Sequence, residues 1–477
     1  MQNDKNKTKK LFGNRKKIIT AIVCGVLAVA VLITVGVNLI VNAIKNTGDY
    51  LRKDIAIESS DIKIDNAMMS YYFMNACYSF VNSDDYNNQF DLSDDLKKQQ
   101  KSDGVSWYDY FIDIAESRAE QAILFSSEAK QNGMSLTDKE IKEIDEKCNQ
   151  IAPDNIRQGV KKSDIKKCME MNALADKYYD SVKSKAKTDE KTVREYVFSH
   201  PDEFNTVNYR HHSLNCADEK QQADGFDKMT AEKYVNSFKK IKNEKQFDVW
   251  LKDFFKNEYR DWTDADIEEQ TEYSYNNAIT YSSDDKEISD WLFDSKRKVN
   301  DILAKYNSET AVYDFYLVTK TKSIDDEKLQ TVRHMLFTTA VYETDKETKL
   351  KAKEVLQMYK KGKQTEESFS KLVEKYSEDT SSATNGGLCE DFKKGDMVEA
   401  FEKWAFKKGR QKGDTGIVKT EYGYHVIYYV GNKPSWYEDG KTKYLENWHE
   451  DLVNSLKQKY KITKHPQNIA KIEQEWS

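Results

Sequence analysis

The chain has 477 residues and a formal net charge of -6, with 33% charged and 12% aromatic residues. This length is sufficient for about three domains, and the composition is typical of folded domains rather than of disordered segments. Because no block of lysine and arginine follows residues 1–17, binding to DNA or RNA is not expected.

The chain begins with a basic segment and a long apolar segment. Residues 1–17 carry seven lysines and arginines against one acidic residue, Asp4, and no charged residue occurs from Ile18 to Ile44. A helix rises about 1.5 Å per residue, so residues 18–44 can cross a hydrocarbon core of about 30 Å. The pattern predicts a single-pass cell-membrane protein with a cytoplasmic N-terminus and an extracellular main body.

Two other interpretations of this apolar segment stay open. A cleaved secretory signal also begins with basic residues, but its apolar region is usually about 7 to 15 residues long. A lipoprotein signal needs its acceptor cysteine near the end of the apolar segment, whereas Cys24 lies near its beginning. All three interpretations place the rest of the chain outside the cytoplasm.

Five cysteines follow the apolar segment: Cys77, Cys148, Cys168, Cys216 and Cys389. An odd number cannot pair completely within one chain, and the spacings typical of redox or zinc sites are missing from the sequence. Isolated buried thiols are therefore expected, with a disulfide between Cys148 and Cys168 as the alternative. Because the sequence also lacks a glycine-rich phosphate loop, no cofactor and no metal is expected.

Residues 60–200 are predicted to form a mostly helical lobe. The segment Trp107–Lys130 places alanine and phenylalanine side chains on one helical stripe, interrupted only by Arg118. Thr137 followed by Glu140 indicates a capped helix start. A helical spacer and a chaperone lobe that holds unfolded chains both agree with this pattern.

Two later segments, 205–322 and 329–432, share a sequence pattern. Tryptophan, phenylalanine, arginine and aspartate occur at the same spacing in both, as Trp291, Phe293, Arg297 and Asp301 and as Trp404, Phe406, Arg410 and Asp414. Chance similarity is one explanation, but a shared order of strand, helices and closing strand favours duplication. The pattern after Gly431 predicts a C-terminal helical segment over 433–477, either packed on the helical lobe or exposed to solvent.

The second of these segments is predicted to be a small α+β domain. Its first strand carries His334 and its last strand carries His425, around helices over Lys349–Lys360 and Phe369–Tyr376. If the two terminal strands are neighbours, the two imidazole rings meet in the centre of the sheet. Paired core histidines are unusual, so this position is the candidate functional site.

Successive motifs of this segment resemble those of the parvulin family of peptidyl-prolyl cis-trans isomerases. They are Arg333-His-Met-Leu336, Tyr376-Ser-Glu-Asp-Thr-Ser-Ser382, Gly386-Gly387, Gly395-Asp-Met-Val398, Phe401-Glu402, Phe406 and Tyr422-Gly-Tyr-His-Val-Ile427. They occur in the family order over about a hundred residues. The whole chain, with its membrane signal and helical lobe, is similar to PrsA- and SurA-type extracytoplasmic foldases.

The resemblance implies a set of site residues in this chain. The implied catalytic residues are His334, Asp379, Thr420 and His425. The implied substrate-binding residues are Cys389, Met397, Phe401 and Phe406. The implied substrates are unfolded or newly exported proline-containing polypeptides, and no cofactor is implied. Rotation about the amide before proline crosses a barrier of about 18–20 kcal/mol without making or breaking a bond, so preferential binding of the twisted amide is sufficient.

Two departures from the family pattern leave rival interpretations open. The family usually has Gly-Gly-Asp-Leu-Gly where this chain has Gly386-Gly-Leu-Cys-Glu-Asp-Phe392, which puts substrate preference and rate in doubt. In the first segment Asp314 occurs where His425 stands in the second, so that segment is predicted to be a degenerate, catalytically silent copy. The rivals to an isomerase are a non-catalytic holdase chaperone and an accessory protein of an envelope complex.

Overall fold

The computed structural model describes residues 47–102, 104–152, 156–216, 225–342 and 344–472. These residues divide into two compact units, one from Met1–Ala186 with Asn447–Ser477 and the other from Lys187–Glu446. Within the described ranges, no helix has both the length and the apolar character needed to cross a membrane. The transmembrane helix predicted over 18–44 lies outside the described residues.

The first unit is mainly helical, as predicted. Its elements are α1 (Asp49–Lys53), β1 (Ile55–Glu58), β2 (Lys63–Asp65), α2 (Asn66–Val81), β3 (Gln100–Ser102), β4 (Val105–Ser106), α3 (Trp107–Gln131), α4 (Asp138–Gln150) and α5 (Lys162–Lys183). The Ser106 hydroxyl accepts the Asp109 N–H at the start of α3, and Thr137 and Glu140 form the predicted capping box of α4. The core contains buried Trp107 and Phe111.

The C-terminal residues belong to this unit. The end of α15 (Tyr437–Tyr460) places Val453 and Leu456 against Leu124 of α3. Farther on, β13 (Thr463–Lys464) pairs with β1, and α16 (Pro466–Ile469) adds Ile469 to the core. Of the two alternatives for the segment after Gly431, the packed one is therefore observed.

The second unit begins with α6 (Glu190–Ser199) and α7 (Pro201–Phe204) and contains two four-stranded antiparallel sheets. The first sheet has the order β6-β5-β8-β7. Its elements are β5 (Asn205–Asn215), α8 (Lys228–Phe238), α9 (Glu244–Glu258), α10 (Asp264–Glu272), β6 (Tyr275–Ile279), α11 (Lys286–Phe293), β7 (Ile302–Asn307) and β8 (Val312–Ile324). One face packs on an aromatic core with Phe247 and Phe254, and the other contacts Ile288 and Leu292 of α11.

The second sheet has the order β10-β9-β12-β11, with the two longest strands in the centre. Its elements are β9 (Lys328–Phe337), α12 (Asp345–Lys361), α13 (Glu366–Tyr376), a 3-10 turn (Ala383–Asn385), β10 (Leu388–Phe392), α14 (Glu399–Ala405), β11 (Thr415–Thr420) and β12 (Gly423–Pro434). Helices α12 and α13 cover one face through Val355 and Phe369, and α14 covers the other through Phe401. This is the small α+β arrangement that the sequence predicts.

The five described cysteines are free thiols, and four of them are buried. The alternative of a disulfide between Cys148 and Cys168 is therefore wrong for this structure. Burial raises the pKa of Cys77 to about 12, and burial also raises the pKa of Cys168. These thiols act as small apolar core side chains.

Candidate active site

The two predicted histidines meet on one face of the second sheet. In the ladder between β9 and β12, His334 lies opposite Ile427 and His425 lies opposite Leu336, so the two side chains are diagonal neighbours. Their Nδ1 atoms are 3.2 Å apart. Both side chains are buried, with 7% and 6% of their surface exposed. The alternation of side chains along adjacent strands is what brings the rings together.

Asp379 approaches His334 from the loop after α13. Its Oδ2 atom lies 3.2 Å from His334 Nε2 and accepts the Ser382 hydroxyl at 2.6 Å. Its Oδ1 atom accepts the backbone N–H of Ser381 at 3.1 Å and the Ser381 hydroxyl at 2.5 Å. The Asp379 backbone N–H donates to the Ser377 hydroxyl at 3.2 Å. A short hydroxyl-rich turn thus fixes the carboxylate beside the histidine pair.

Thr420 closes the network at the opposite end. Its Oγ1 atom lies 2.8 Å from His425 Nε2, and the same oxygen accepts the Tyr422 backbone N–H at 3.2 Å. Thr420 ends β11 and pairs with Gly423 at the start of β12, so the tight turn between these strands places the hydroxyl. A hydroxyl that accepts one hydrogen bond still has its own proton, so Thr420 can act as a donor to His425.

Donor counting assigns the tautomers of the two rings. The Asp379 carboxylate can only accept, so His334 carries its proton on Nε2 and directs it at Asp379. His334 Nδ1 then accepts from His425 Nδ1–H, and His425 Nε2 accepts from Thr420. All donors in this chain point from Thr420 towards Asp379. Such a one-way chain requires that both histidines are neutral.

The electrostatics of the site favour this protonation state. Burial, and next the neighbouring His334, lower the pKa of His425 to about 4. Burial also lowers the pKa of His334, although Asp379 opposes the shift. Burial opposes ionisation of Asp379, but the Ser381 and Ser382 hydroxyls outweigh it and lower the pKa of that carboxyl. Near neutral pH the site therefore contains one carboxylate and two uncharged imidazoles.

An apolar group of side chains lies on the same face as the histidines. The Phe401 ring is 5.5 Å from each imidazole, nearly perpendicular to both. Phe401 belongs to one hydrophobic cluster with Cys389, Met397 and Phe406, and the last three are partly exposed. Burial raises the pKa of the Cys389 thiol to about 11, so this side chain is a neutral wall. The structure brings together all eight residues predicted for the site.

The comparison with protein families identifies this segment. The family model described as "Rotamase: PPIC-type PPIASE domain" matches residues 334–431. This segment is a parvulin-type isomerase domain.

Similar proteins match parts of this chain. A protein named foldase protein PrsA from Caldanaerobacter subterraneus is 31% identical over 224 residues, which cover 43% of this chain and 64% of that protein. Foldase protein PrsA 1 of Listeria monocytogenes is 42% identical over 100 residues, covering 21% of this chain and 30% of that protein. The crystal structure of PrsA from Bacillus subtilis matches with 32% identity and a TM-score of 0.19, covering 28% of this chain and 48% of that one. Each of these matches spans less than two thirds of the relative.

One glycine of the parvulin domain is required by a close backbone approach. Gly387 has φ +69°, and its carbonyl accepts the His334 backbone N–H at 2.8 Å. A Cβ atom at this position would lie 1.9 Å from the His334 carbonyl oxygen. The Gly386-Gly387 pair therefore holds the loop after Asp379 against the strand that carries His334.

Sequence reasoning missed Ser382 as a member of the site. Its oxygen lies 3.3 Å from His334 Nε2 in addition to its hydrogen bond with Asp379. The available signal was its place in the motif that carries Asp379, three residues later in a segment rich in hydroxyl side chains. Such segments form turns in which side chains bond to nearby residues.

Proposed function

We propose that this chain is a parvulin-type peptidyl-prolyl cis-trans isomerase that assists the folding of exported proteins outside the cytoplasmic membrane. The observation that carries the proposal is the neutral histidine pair beneath Phe401, within a segment that matches the isomerase family. The PrsA relatives, which are named foldases, support the role in folding.

The apolar cluster provides the part of the site that binds proline. Met397, Phe406 and Cys389 are partly exposed around buried Phe401, so a pyrrolidine ring can enter between them. Holding the ring fixes one side of the amide while the preceding carbonyl rotates. The barrier falls if the site binds the twisted amide more tightly than either planar form.

The polar network sets the electric field beside the rotating carbonyl. Thr420 donates to His425, His425 donates to His334, and Asp379 accepts at the end of the chain. No bond is made or broken in the reaction, so none of these groups needs to transfer a proton. We assign His334, His425, Asp379 and Thr420 to this preorganised network rather than to acid-base catalysis.

The test is the isomerisation rate of a short X-Pro peptide, measured without a coupled protease. The wild-type protein is compared with Asp379→Ala, Met397→Ala and the control His211→Ala, which lies in the first sheet. We expect the wild type and the control to accelerate isomerisation. The catalysed rate of the two site variants should be at least tenfold lower, because they lose positioned polar or apolar contacts with the substrate. A wild-type rate equal to that of buffer for several X residues would refute catalysis.

A second candidate is a holdase that uses the parvulin fold for peptide binding without catalysis. The loop after Gly387 favours it, because Cys389 replaces the usual leucine and the strand has an irregularity between Cys389 and Phe392. Asp391 in this loop has φ +54°. A holdase of this kind would suppress aggregation of an unfolded protein, less well after Met397→Ala, while showing no isomerisation.

We propose that the first sheet is a diverged, catalytically silent copy of the parvulin domain. The Arg297 guanidinium lies 5.0 Å from the Trp291 ring and 3.2 Å from Asp301, and the corresponding distances in the second sheet are 3.7 Å and 3.7 Å. Backbone hydrogen bonds of the two sheets also correspond. The Asp301 carbonyl accepts Val318 N–H at 2.9 Å, and the Asp414 carbonyl accepts Tyr429 N–H at 2.8 Å. These parallels favour duplication over chance.

The site position in the first sheet has different chemistry. His211 lies opposite Tyr316, as His334 lies opposite Ile427, but its Nε2 atom contacts Asp314 at 2.9 Å instead of a second histidine. A His–Asp pair cannot continue a chain of neutral imidazoles. We therefore expect His211→Ala to leave the isomerisation rate unchanged, as the control above tests.

The location outside the cytoplasm is part of the same proposal. The basic segment 1–17 followed by uncharged residues 18–44 supports a single-pass anchor with the two units outside. Protease added to intact cells should then remove an epitope after Ser477 but spare one before Met1. Protection of the C-terminal epitope would exclude this orientation.

A further inference from the structure

Ser382 occupies the point where the carboxylate and the histidine pair meet. Its hydroxyl donates to Asp379 Oδ2 at 2.6 Å, and its oxygen is 3.3 Å from His334 Nε2. Asp379 Oδ2 is itself 3.2 Å from that nitrogen. Only 9% of the Ser382 surface is exposed, so water has little access to this triangle.

A hydroxyl has one proton, so Ser382 can donate to only one of its two neighbours. With that proton on Asp379, the Ser382 oxygen can only accept from His334. Two acceptors, one from Ser382 and one from Asp379, then converge on Nε2 of His334. A lone pair on that nitrogen would face both of them, so the Nε2–H tautomer is selected.

The backbone fixes this hydroxyl relative to the strand of His334. The Ser382 carbonyl accepts the Gly387 N–H at 2.8 Å, and the Gly387 carbonyl accepts the His334 N–H at 2.8 Å. The Ala383 N–H in turn donates to the Asp379 carbonyl at 3.0 Å. Asp379, Ser382 and His334 are therefore linked through the main chain as well as through their side chains.

We propose that Ser382 is a positioning residue, which orients Asp379 and selects the His334 tautomer through which the two histidines act. This role rests on the isomerase function proposed above. It would make the direction of the whole chain from Thr420 to Asp379 depend on a hydroxyl that donates to Asp379 and lies 3.3 Å from His334 Nε2.

Ser381 provides a matched control. Its hydroxyl donates to the other carboxylate oxygen, Oδ1, at 2.5 Å, and Ser381 is exposed. Ser381→Ala and Ser382→Ala each remove one hydroxyl bond to Asp379, but only Ser382→Ala removes an acceptor from His334. A role limited to stabilising the carboxylate predicts equal effects of the two variants.

The experiment uses the full-length protein with ¹⁵N-labelled histidine, which gives signals from seven residues. Nitrogen chemical shifts report the tautomer of His334, and X-Pro peptide exchange reports kcat/KM. We expect the wild type, Ser381→Ala and the hydroxyl-retaining Ser382→Thr to keep the Nε2–H tautomer. Ser382→Ala should populate both tautomers and lose roughly tenfold in kcat/KM, the effect of one hydrogen bond to a charged network.

Two results would overturn the proposal. One is an Nδ1–H tautomer of His334 in the wild type, which would refute the proposal even if a variant fails to fold. The other is the same tautomer and the same kcat/KM in Ser381→Ala and Ser382→Ala. If the wild type shows no isomerisation, the proposed function fails, whereas the tautomer measurement still tests the positioning by Ser382.

Discussion

Acidification is predicted to destabilise the parvulin domain through His425. Burial and the neighbouring His334 lower its pKa from the ordinary 6.5 to about 4. Below pH 6.5 the imidazole of His425 is protonated in the unfolded chain before it is protonated in the folded domain. The contribution of His425 to the free energy of unfolding is therefore fully present above pH 6.5 and decreases as the pH falls towards 4. The difference of about 2.5 units, at about 1.36 kcal/mol per unit, corresponds to roughly 3 kcal/mol.

A comparison of the wild type with His425→Gln isolates this contribution. His212 in the first sheet also has a pKa lowered to about 4, mainly by burial, so the wild type alone would mix two sites. Urea unfolding is followed by pulsed hydrogen exchange at one labelling pH, reading peptides from β9 and β12. The stability advantage of the wild type over His425→Gln should shrink by about 3 kcal/mol between pH 7.5 and pH 4.

The same shift predicts the pH dependence of activity. Because the pKa of His425 is lowered to about 4 and the pKa of His334 is also lowered below its ordinary value, kcat/KM should show no inflection near pH 6.5 and should fall at lower pH. A kinetic inflection near 6.5 would refute the reasoning. So would a stability difference between the wild type and His425→Gln that does not change with pH.

Three further substitutions test the site, and Gly395→Ala serves as a control for the first of them. Gly387→Ala should lower the free energy of unfolding by about 3 kcal/mol or more in thermal unfolding, because the new Cβ would lie 1.9 Å from a carbonyl oxygen. Gly395→Ala has open space around it and should lower it by only about 1–2 kcal/mol, because of the positive φ at that position. Thr420→Val should lower kcat/KM roughly tenfold by leaving His425 Nε2 unpaired, and an unchanged rate would contradict the tautomer assignment. Phe401→Ala should destabilise the domain by about 3–5 kcal/mol in urea unfolding and abolish measurable isomerisation, since this buried ring contacts both histidines.

Local sequence patterns predicted most of the second sheet and its histidine pair, whereas the other site residues came from the resemblance to the parvulin family. Side-chain alternation placed His334 and His425 on one face once their strands were neighbours, and helix periodicity located α12 and α13. Both helices begin earlier than predicted, at Asp345 and Glu366, because Thr344 and Thr365 cap them. A threonine ahead of polar residues is a weak signal where the apolar stripe begins a turn later.

The exact partners of several long-range contacts were beyond sequence reasoning. The packing of Leu456 on Leu124, and the ion pair of Lys457 with Glu120 at 3.2 Å, join residues more than three hundred positions apart. The contact of Ser382 with His334 depends on a loop path that Gly387 sets through its positive φ. Periodicity describes one element at a time, so it encodes none of these three contacts.

The two sheets show why a similar backbone does not give a similar site. His211 and Asp314 occupy the same ladder positions as His334 and His425, and hydrogen bonds from His211 and Ser213 keep the pKa of Asp314 low despite its burial. At the spacing that relates Trp291 to Trp404, Ile288 of α11 corresponds to Phe401 of α14. Asp314→His alone would therefore supply a second imidazole without the aromatic ring or the hydroxyl-rich turn around Asp379. Isomerase activity should require all three features together, so we expect none from the first sheet, although it has the same strand register and a similar Trp–Arg contact.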